Sequence, residues 1–152
     1  MSAAVFNTTF SALAPSDTVA DATARMLADH VTDLPVVDGD GRLVGMFLLD
    51  RLLGLLLPKA ALLGYGVEDL TFVAETLDQL RERMREIDER PVLEFTVKPE
   101  HVVHPDTTPL ELVLLLHRGA RSVPVVETGG GRLVGMTSAR DVLAALQRGG
   151  AR

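Results

Sequence analysis

The chain contains no cysteine, which excludes disulfides, thiolate metal sites and thiol nucleophiles together. Such a composition suits a reducing cytoplasm. Tryptophan is absent and aromatic residues make up only 4% of the chain, so a core has to come from Leu, Val, Ala and Met. Basic residues are in the minority: 15 Lys and Arg against 21 Asp and Glu leave a net charge of −6. That balance argues against a nucleic-acid partner or an anionic membrane surface, both of which need clustered positive charge. It leaves room for one anion in a local basic pocket. Long apolar runs are missing too. Leu52 to Leu57 is interrupted by Gly54 and ended by Pro58, far short of the roughly 20 residues that cross a bilayer. It reads as a buried helix end. Val5 to Leu13 is broken by Asn7, Thr8, Thr9 and Ser11 and has no basic lead, so no signal peptide is expected. No Gly-x-Ser-x-Gly elbow, P-loop or paired catalytic carboxylate stands out, and no catalytic residue is assigned. His30, His101, His104 and His117 lack a completing carboxylate or thiol set, so no metal site is expected.

What is present is a repeat. Leu34-Pro35-Val36-Val37-Asp38-Gly39-Asp40-Gly41-Arg42-Leu43-Val44-Gly45-Met46 recurs from Val123-Pro124-Val125-Val126 to Arg132-Leu133-Val134-Gly135-Met136. Each copy reads as a β-hairpin: an apolar strand (Pro35 to Val37; Val123 to Val126), a Gly-rich turn, and a second apolar strand (Leu43 to Leu48; Leu133 to Thr137). The second copy carries one extra residue in its turn, where insertion is easiest. The strands are nearly all apolar, so both sheet faces are expected to be covered. Gly129-Gly130-Gly131 is a hairpin turn and not a phosphate loop, because a strand follows it.

A helix precedes each hairpin. Asp17 or Thr18 can cap the first, with Val19, Ala22, Met26 and Leu27 on one face. Thr108-Pro109-Leu110-Glu111 is a capping box opening the second, in which Leu110, Val113, Leu114 and His117 share a face. A further helix follows each hairpin, Asp50 to Leu57 and Ala139 to Gln147, and extended segments lead in at Phe6 to Leu13 and Leu93 to Val103. The fold class is therefore α+β: two β-α-β-β-α repeats, at 6–57 and 93–148, packed with pseudo-two-fold symmetry as a single module over 1–152. A unit of about fifty residues has too little core to stand alone. Residues 58–92 lie outside the repeat. There Leu77, Leu80, Met84 and Ile87 make an apolar stripe opposite Arg81, Glu82, Arg85 and Glu86, which predicts a docked helical excursion.

The apolar-Pro-Val-Val strand, the acidic Gly turn, Arg-Leu-Val-Gly, and the Ser138-Ala139-Arg140-Asp141 step into a helix resemble the CBS (cystathionine-β-synthase) motif. Two copies resemble a CBS pair, or Bateman module. The resemblance implies a disc-like regulatory module that is not an enzyme. Its clefts would bind an adenosine-containing ligand: AMP, ADP, ATP or S-adenosylmethionine. It implies a homodimer and leaves room for a protein partner.

The second repeat carries the candidate site. Asp141, on the first turn of a helix, has two oxygens able to accept from the 2′- and 3′-hydroxyls of a ribose. Ser138 is the expected N-cap and can also face the sugar, while Arg140 can pair with a phosphate. The alternative is that Ser138 and Asp141 form only a capping box, which needs no ligand. In the first repeat Leu48 and Arg51 stand where a hydroxyl and a carboxylate are wanted, so that cleft is read as degenerate. The resemblance takes a cleft's adenine wall from the other repeat: Thr9, Phe10 and Ser11, with Val31 and Thr32. For Phe10, core packing is the competing fate. Phe95 is the comparable aromatic for the degenerate cleft, where Arg121 and Ser122 hold the place of Val31 and Thr32. A module that has lost its ligand and serves only dimerisation is the competing function.

Overall fold

The computed structural model describes residues 5–57 and 77–149. Helix α1 (Val19–Asp29) is followed by β1 (Asp33–Val37), β2 (Leu43–Leu48) and α2 (Leu49–Leu55). Helix α3 (Leu77–Asp88) and a 3-10 turn (Val92–Phe95) lead to the second copy: α4 (Pro109–His117), β3 (Ser122–Val126), β4 (Leu133–Ser138) and α5 (Ala139–Gly149). Of the excursion expected over 58–92, the part at 58–76 lies outside the described residues. No helix among the described residues is long and apolar enough to cross a membrane.

Each helix that opens a repeat is fixed by its first turn. The Thr18 side chain accepts from the Asp21 N–H, and the Asp21 carboxylate accepts from the Thr18 N–H. Thr108 and Glu111 do the same for α4, with Pro109 at the first helical position. Each box satisfies two otherwise orphaned donors. Of the apolar residues assigned to α1, Val19, Ala22 and Met26 are buried, whereas Leu27 is 72% exposed. It lies one residue past Met26, about 100° around the helix axis, and turns out to solvent. On α4 the group Leu110, Val113, Leu114 and His117 is the exposed face. Leu112 is the fully buried residue there, with Leu115 and Leu116 beside it.

The hairpins pair antiparallel with matching registers: Pro35 faces Met46 in the first and Pro124 faces Met136 in the second. A bulge between Val36 and Val37 has its counterpart between Val125 and Val126. Each hairpin is widened on both edges by a lead-in segment. Leu13 pairs in parallel with β1 of its own repeat, and Val103 does the same with β3. Proline costs these edges no bond, because Pro35 and Pro124 contribute only their carbonyls, accepting from the N–H groups of Leu13 and Val103 at 2.8 and 3.0 Å.

The other edges are exchanged between repeats. Asn7 exchanges two backbone bonds with Met136 of β4 (2.8 and 3.0 Å), and Val97 exchanges two with Met46 of β2 (2.8 and 2.9 Å). The turns join as well: Leu43 N–H donates to Gly131 O and Leu133 N–H to Gly41 O, each at 2.9 Å. These pairs interchange under a shift of about ninety residues, the signature of a pseudo-two-fold axis. Such close crossing requires glycine. A Cβ on Gly45 would lie 2.5 Å from Thr96 Cγ2 and 2.6 Å from Val97 O. One on Gly135 would collide with the Phe6 ring and come to 2.7 Å from Asn7 O.

Each repeat builds its own core. Leu13, Val19, Ala22, Met26, Leu34, Val36, Phe47 and Leu52 form the first, into which α3 inserts Ile87 with Met84 beside it. Arg81, Glu82, Arg85 and Glu86 of α3 face solvent, as their spacing predicts. Val5, Val103, Leu112, Val123, Val125 and Val142 form the second core. The extended segment expected from Leu93 begins later, since residues 92–95 wind into the 3-10 turn. Pro91 caps that turn, Val92 is buried in the first core, and the Thr96 hydroxyl bonds back to Val92 O at 2.8 Å.

Candidate functional site

Two cavities open between the repeats. The larger, about 860 Å³, is walled by the lead-in of the first repeat, the end of α1, the starts of β1 and β3, and the β4–α5 step. Thr9, Phe10, Ser11, Val31, Thr32, Ser138, Arg140 and Asp141 all line it. Residues from three distant stretches of chain therefore meet on one cleft. Phe10 belongs to neither core and is half-buried on the cleft wall. Ser11 donates to the Asp29 carboxylate at the mouth of the same cleft.

At the β4–α5 step, the Asp141 N–H donates to Ser138 Oγ at 3.3 Å, and Ser138 Oγ donates to Asp141 Oδ2 at 2.9 Å. The serine is thus the N-cap of α5 and holds its own acid partner. The other carboxylate oxygen, Oδ1, accepts from Asn7 Nδ2 at 2.7 Å. Both oxygens keep further lone pairs, so a diol can join this network without dismantling it. Thr137, buried just before the step, donates from its hydroxyl to Val5 O at 2.7 Å and ties the N-terminal segment to β4.

The smaller cavity, about 410 Å³, is lined by Leu48, Asp50, Arg51, Lys98, Glu100 and His101 among others. Leu48 is the N-cap of α2 and makes no side-chain cap bond, while Arg51 stands where Asp141 stands in the other copy. Phe95 does not line this cavity. It packs against the first core, and the Arg90 guanidinium sits 5.0 Å above its ring. The 3-10 turn draws it inward.

Asp33, Ala120, Arg121 and Ser122 line both cavities and form their common wall. Asp33 is buried, and desolvation pushes its carboxyl above the ordinary value of 3.8. Arg121 pulls it back, Asp50 pushes it up again, and a hydrogen bond with Thr32 lowers it. The Arg121 Nη2 lies 4.0 Å from Asp33 Oδ1 and 3.6 Å from Asp50 Oδ2, ion-pair rather than hydrogen-bond distances. Asn7, Asp33 and the role of Arg121 in the larger cleft escaped the sequence reading. The available signal was the repeat itself: Asn7 is the counterpart of Val97 in an exchanged edge, and Asp33 that of Ser122. His104 is held by Nδ1 against Val126 O at 2.8 Å, and no set of three metal-ligating side chains converges among the described residues.

The family model described as CBS domain matches residues 4–58 and 92–148, one match per repeat. The chain belongs to the CBS domain family. A pair of CBS domains is a regulatory module. Solved CBS structures share the fold. A CBS domain-containing protein from Kribbella flavida superposes with a TM-score of 0.68 at 18% identity, covering 91% of this chain and 92% of its own. Protein MJ1004 from M. jannaschii gives a TM-score of 0.68 at 22% identity over 95% of this chain, which spans only 58% of that protein. CBSX2, solved in complex with AMP, gives 0.64 at 27% identity over 92% of this chain and 90% of its own. No curated protein matches the chain in sequence.

Proposed function

We propose that this CBS pair is a ligand-sensing regulatory module that holds one adenosine-containing molecule in the larger cleft. The observation that carries this reading is the convergence of Ser138 and Asp141 with Phe10, Val31 and Thr32 on one cavity of about 860 Å³. That size falls within the range of small-molecule sites. Asp141 and Ser138 would take the ribose diol, Phe10, Val31 and Thr32 the base, and Arg140 a charged 5′ group. That CBSX2 binds AMP supports the class of ligand. The cysteine-free, acidic chain fits a cytoplasmic protein, and its exposed apolar helix faces fit a homodimer.

The test is a thermal-shift panel of adenosine, AMP, ADP, ATP and S-adenosylmethionine. At a hundred times the dissociation constant a ligand adds about 2.7 kcal/mol of stability. In a domain of this size that raises the melting temperature by several degrees. Asp141→Ala should abolish the shift and Arg51→Ala should leave it. A second reading rests on the Asn7–Asp141–Ser138 network, which satisfies the carboxylate with no ligand present: a dimerisation module with an empty cleft. Silence from the whole panel at millimolar concentration would favour it.

A further inference from the structure

The common wall of the two clefts holds a group that the capping network does not use. Asp33 opens β1 with its side chain only 5% exposed, and Oδ1 has no hydrogen-bond partner among the described residues. Thr32 bonds the carboxylate, but a buried oxygen left without a hydrogen bond is costly and calls for a further partner. The nearest cation, Arg121, does not complete it. It is 59% exposed, sits at 4.0 Å, and is shared with Asp50. The matching position of the second repeat is Ser122, so the repeat architecture itself does not require an acid here.

The charges around Asp33 point the same way. The larger cleft presents Asp29, Asp33 and Asp141 against Arg121 and Arg140, with His30 beside them. Across the wall, Asp50 and Glu100 stand with Arg51, Lys98 and His101. Carboxylates thus outnumber arginines in the larger cleft by one, and Arg121 is further drawn off by Asp50. A nucleotide phosphate would add like charge to a wall that already carries a desolvated carboxylate. With the sugar at Asp141, the base against Phe10 and Val31, and Asp29 bonded to Ser11, the charged groups of the cleft left for the 5′ substituent are that wall and Arg140.

We propose that Asp33 makes the larger cleft select an adenosine ligand whose 5′ substituent carries positive charge, a sulfonium or ammonium, over the adenosine 5′-phosphates. The inference rests on the adenosine reading and specifies its ligand. Arg121 swings aside, as its exposure allows, and the cation takes its place against Asp33. Arg121 and Arg140 remain for a carboxylate on the same substituent.

S-adenosylmethionine and S-adenosylhomocysteine test this directly, because they differ by one methyl group and the sulfonium charge. Titration calorimetry on the full chain should show S-adenosylmethionine binding at least about tenfold more tightly than S-adenosylhomocysteine, and more tightly than AMP, ADP or ATP. Asp33→Asn should cut that preference to below about threefold and strengthen AMP binding. Asp33→Ser, which installs the second repeat's residue, provides the same readout should the amide fail to fold. Equal affinity for the two thioether-related ligands, a preference that survives both substitutions, or tightest binding of ATP would overturn the inference while leaving the adenosine reading in place. Failure of every adenosine compound to bind would overturn both.

Discussion

Asn7 reaches across 134 positions of sequence to place its Nδ2 2.7 Å from Oδ1 of Asp141. The bond links the first residues of the described chain to the last helix, and it orients the carboxylate proposed to receive a ribose. The backbone of Asn7 is already fixed by its exchange with Met136, so the side chain has little freedom left to lose. A double-mutant cycle of Asn7→Ala and Asp141→Ala should therefore show a coupling of about 1 kcal/mol in urea unfolding. Strict additivity would show that the bond does not hold the two segments together.

Gly45 and Gly135 should tolerate no side chain. In each case one obstacle is a backbone carbonyl of the crossing segment, Val97 O at 2.6 Å and Asn7 O at 2.7 Å, which cannot rotate away. Gly45→Ala and Gly135→Ala should each destabilise the chain by about 1–3 kcal/mol or more. Gly54, within α2, has nothing within 4 Å of an added Cβ among the described residues. Gly54→Ala should instead stabilise by about 0.5–1 kcal/mol through helix propensity and a less flexible unfolded chain. Melting temperatures of the three variants provide the check.

Asp33 gives the fold a pH signature. Its carboxyl is raised in the folded state from 3.8, so the folded chain favours the protonated form. The associated stability is fully present below pH 3.8 and is lost as pH rises through the raised folded value. Asp33→Asn mimics the protonated form. It should be more stable than the parent at pH 7, with the gap closing as pH falls toward 3.8. Denaturant unfolding at several pH values measures that gap, and a gap independent of pH would contradict the assignment.

Leu143 and Leu146 stand three apart on α5, 62% and 64% exposed, while Val142 and Ala145 pack inward. Leu110, Val113 and Leu114 of α4, the helix that packs against α5, are exposed as well. We expect this surface to be the homodimer contact. Sedimentation at tens of micromolar should show a dimer, and Leu143→Gln with Leu146→Gln should yield a folded monomer. Leu112→Ala, by contrast, should cost about 2–5 kcal/mol without regard to assembly, because its side chain is fully buried in the second core.

The hairpins and the Thr108–Glu111 capping box are legible in local pattern and in the repeat, the cap of α1 only as far as Asp17 or Thr18, and the eight residues lining the larger cleft only through the CBS resemblance. Strand ends fell short by one or two residues: Asp33, Ser122 and Ser138 extend strands whose apolar runs stop earlier. The buried face of α4 was not legible, since Leu110 to Leu116 is apolar on nearly every side and periodicity cannot choose among its leucines. Phe95 was misplaced because Val92–Phe95 winds into a turn that only its packing on the first core reveals. Asn7 and Asp33 gain their meaning from partners far away in sequence, and no local rule marks them.

The exchanged edges decide how the chain can be assembled. Strand β2 finishes its outer edge only when Val97 arrives, and β4 finishes its own only against Asn7. Neither half closes alone, so the first hairpin must wait, edge open, while the ribosome delivers some fifty further residues. Two fragments cut between Leu57 and Leu77 would each present the edge that the other lacks. Mixed together, they would be expected to find one another and rebuild the module, because the interlock needs no peptide bond between its halves.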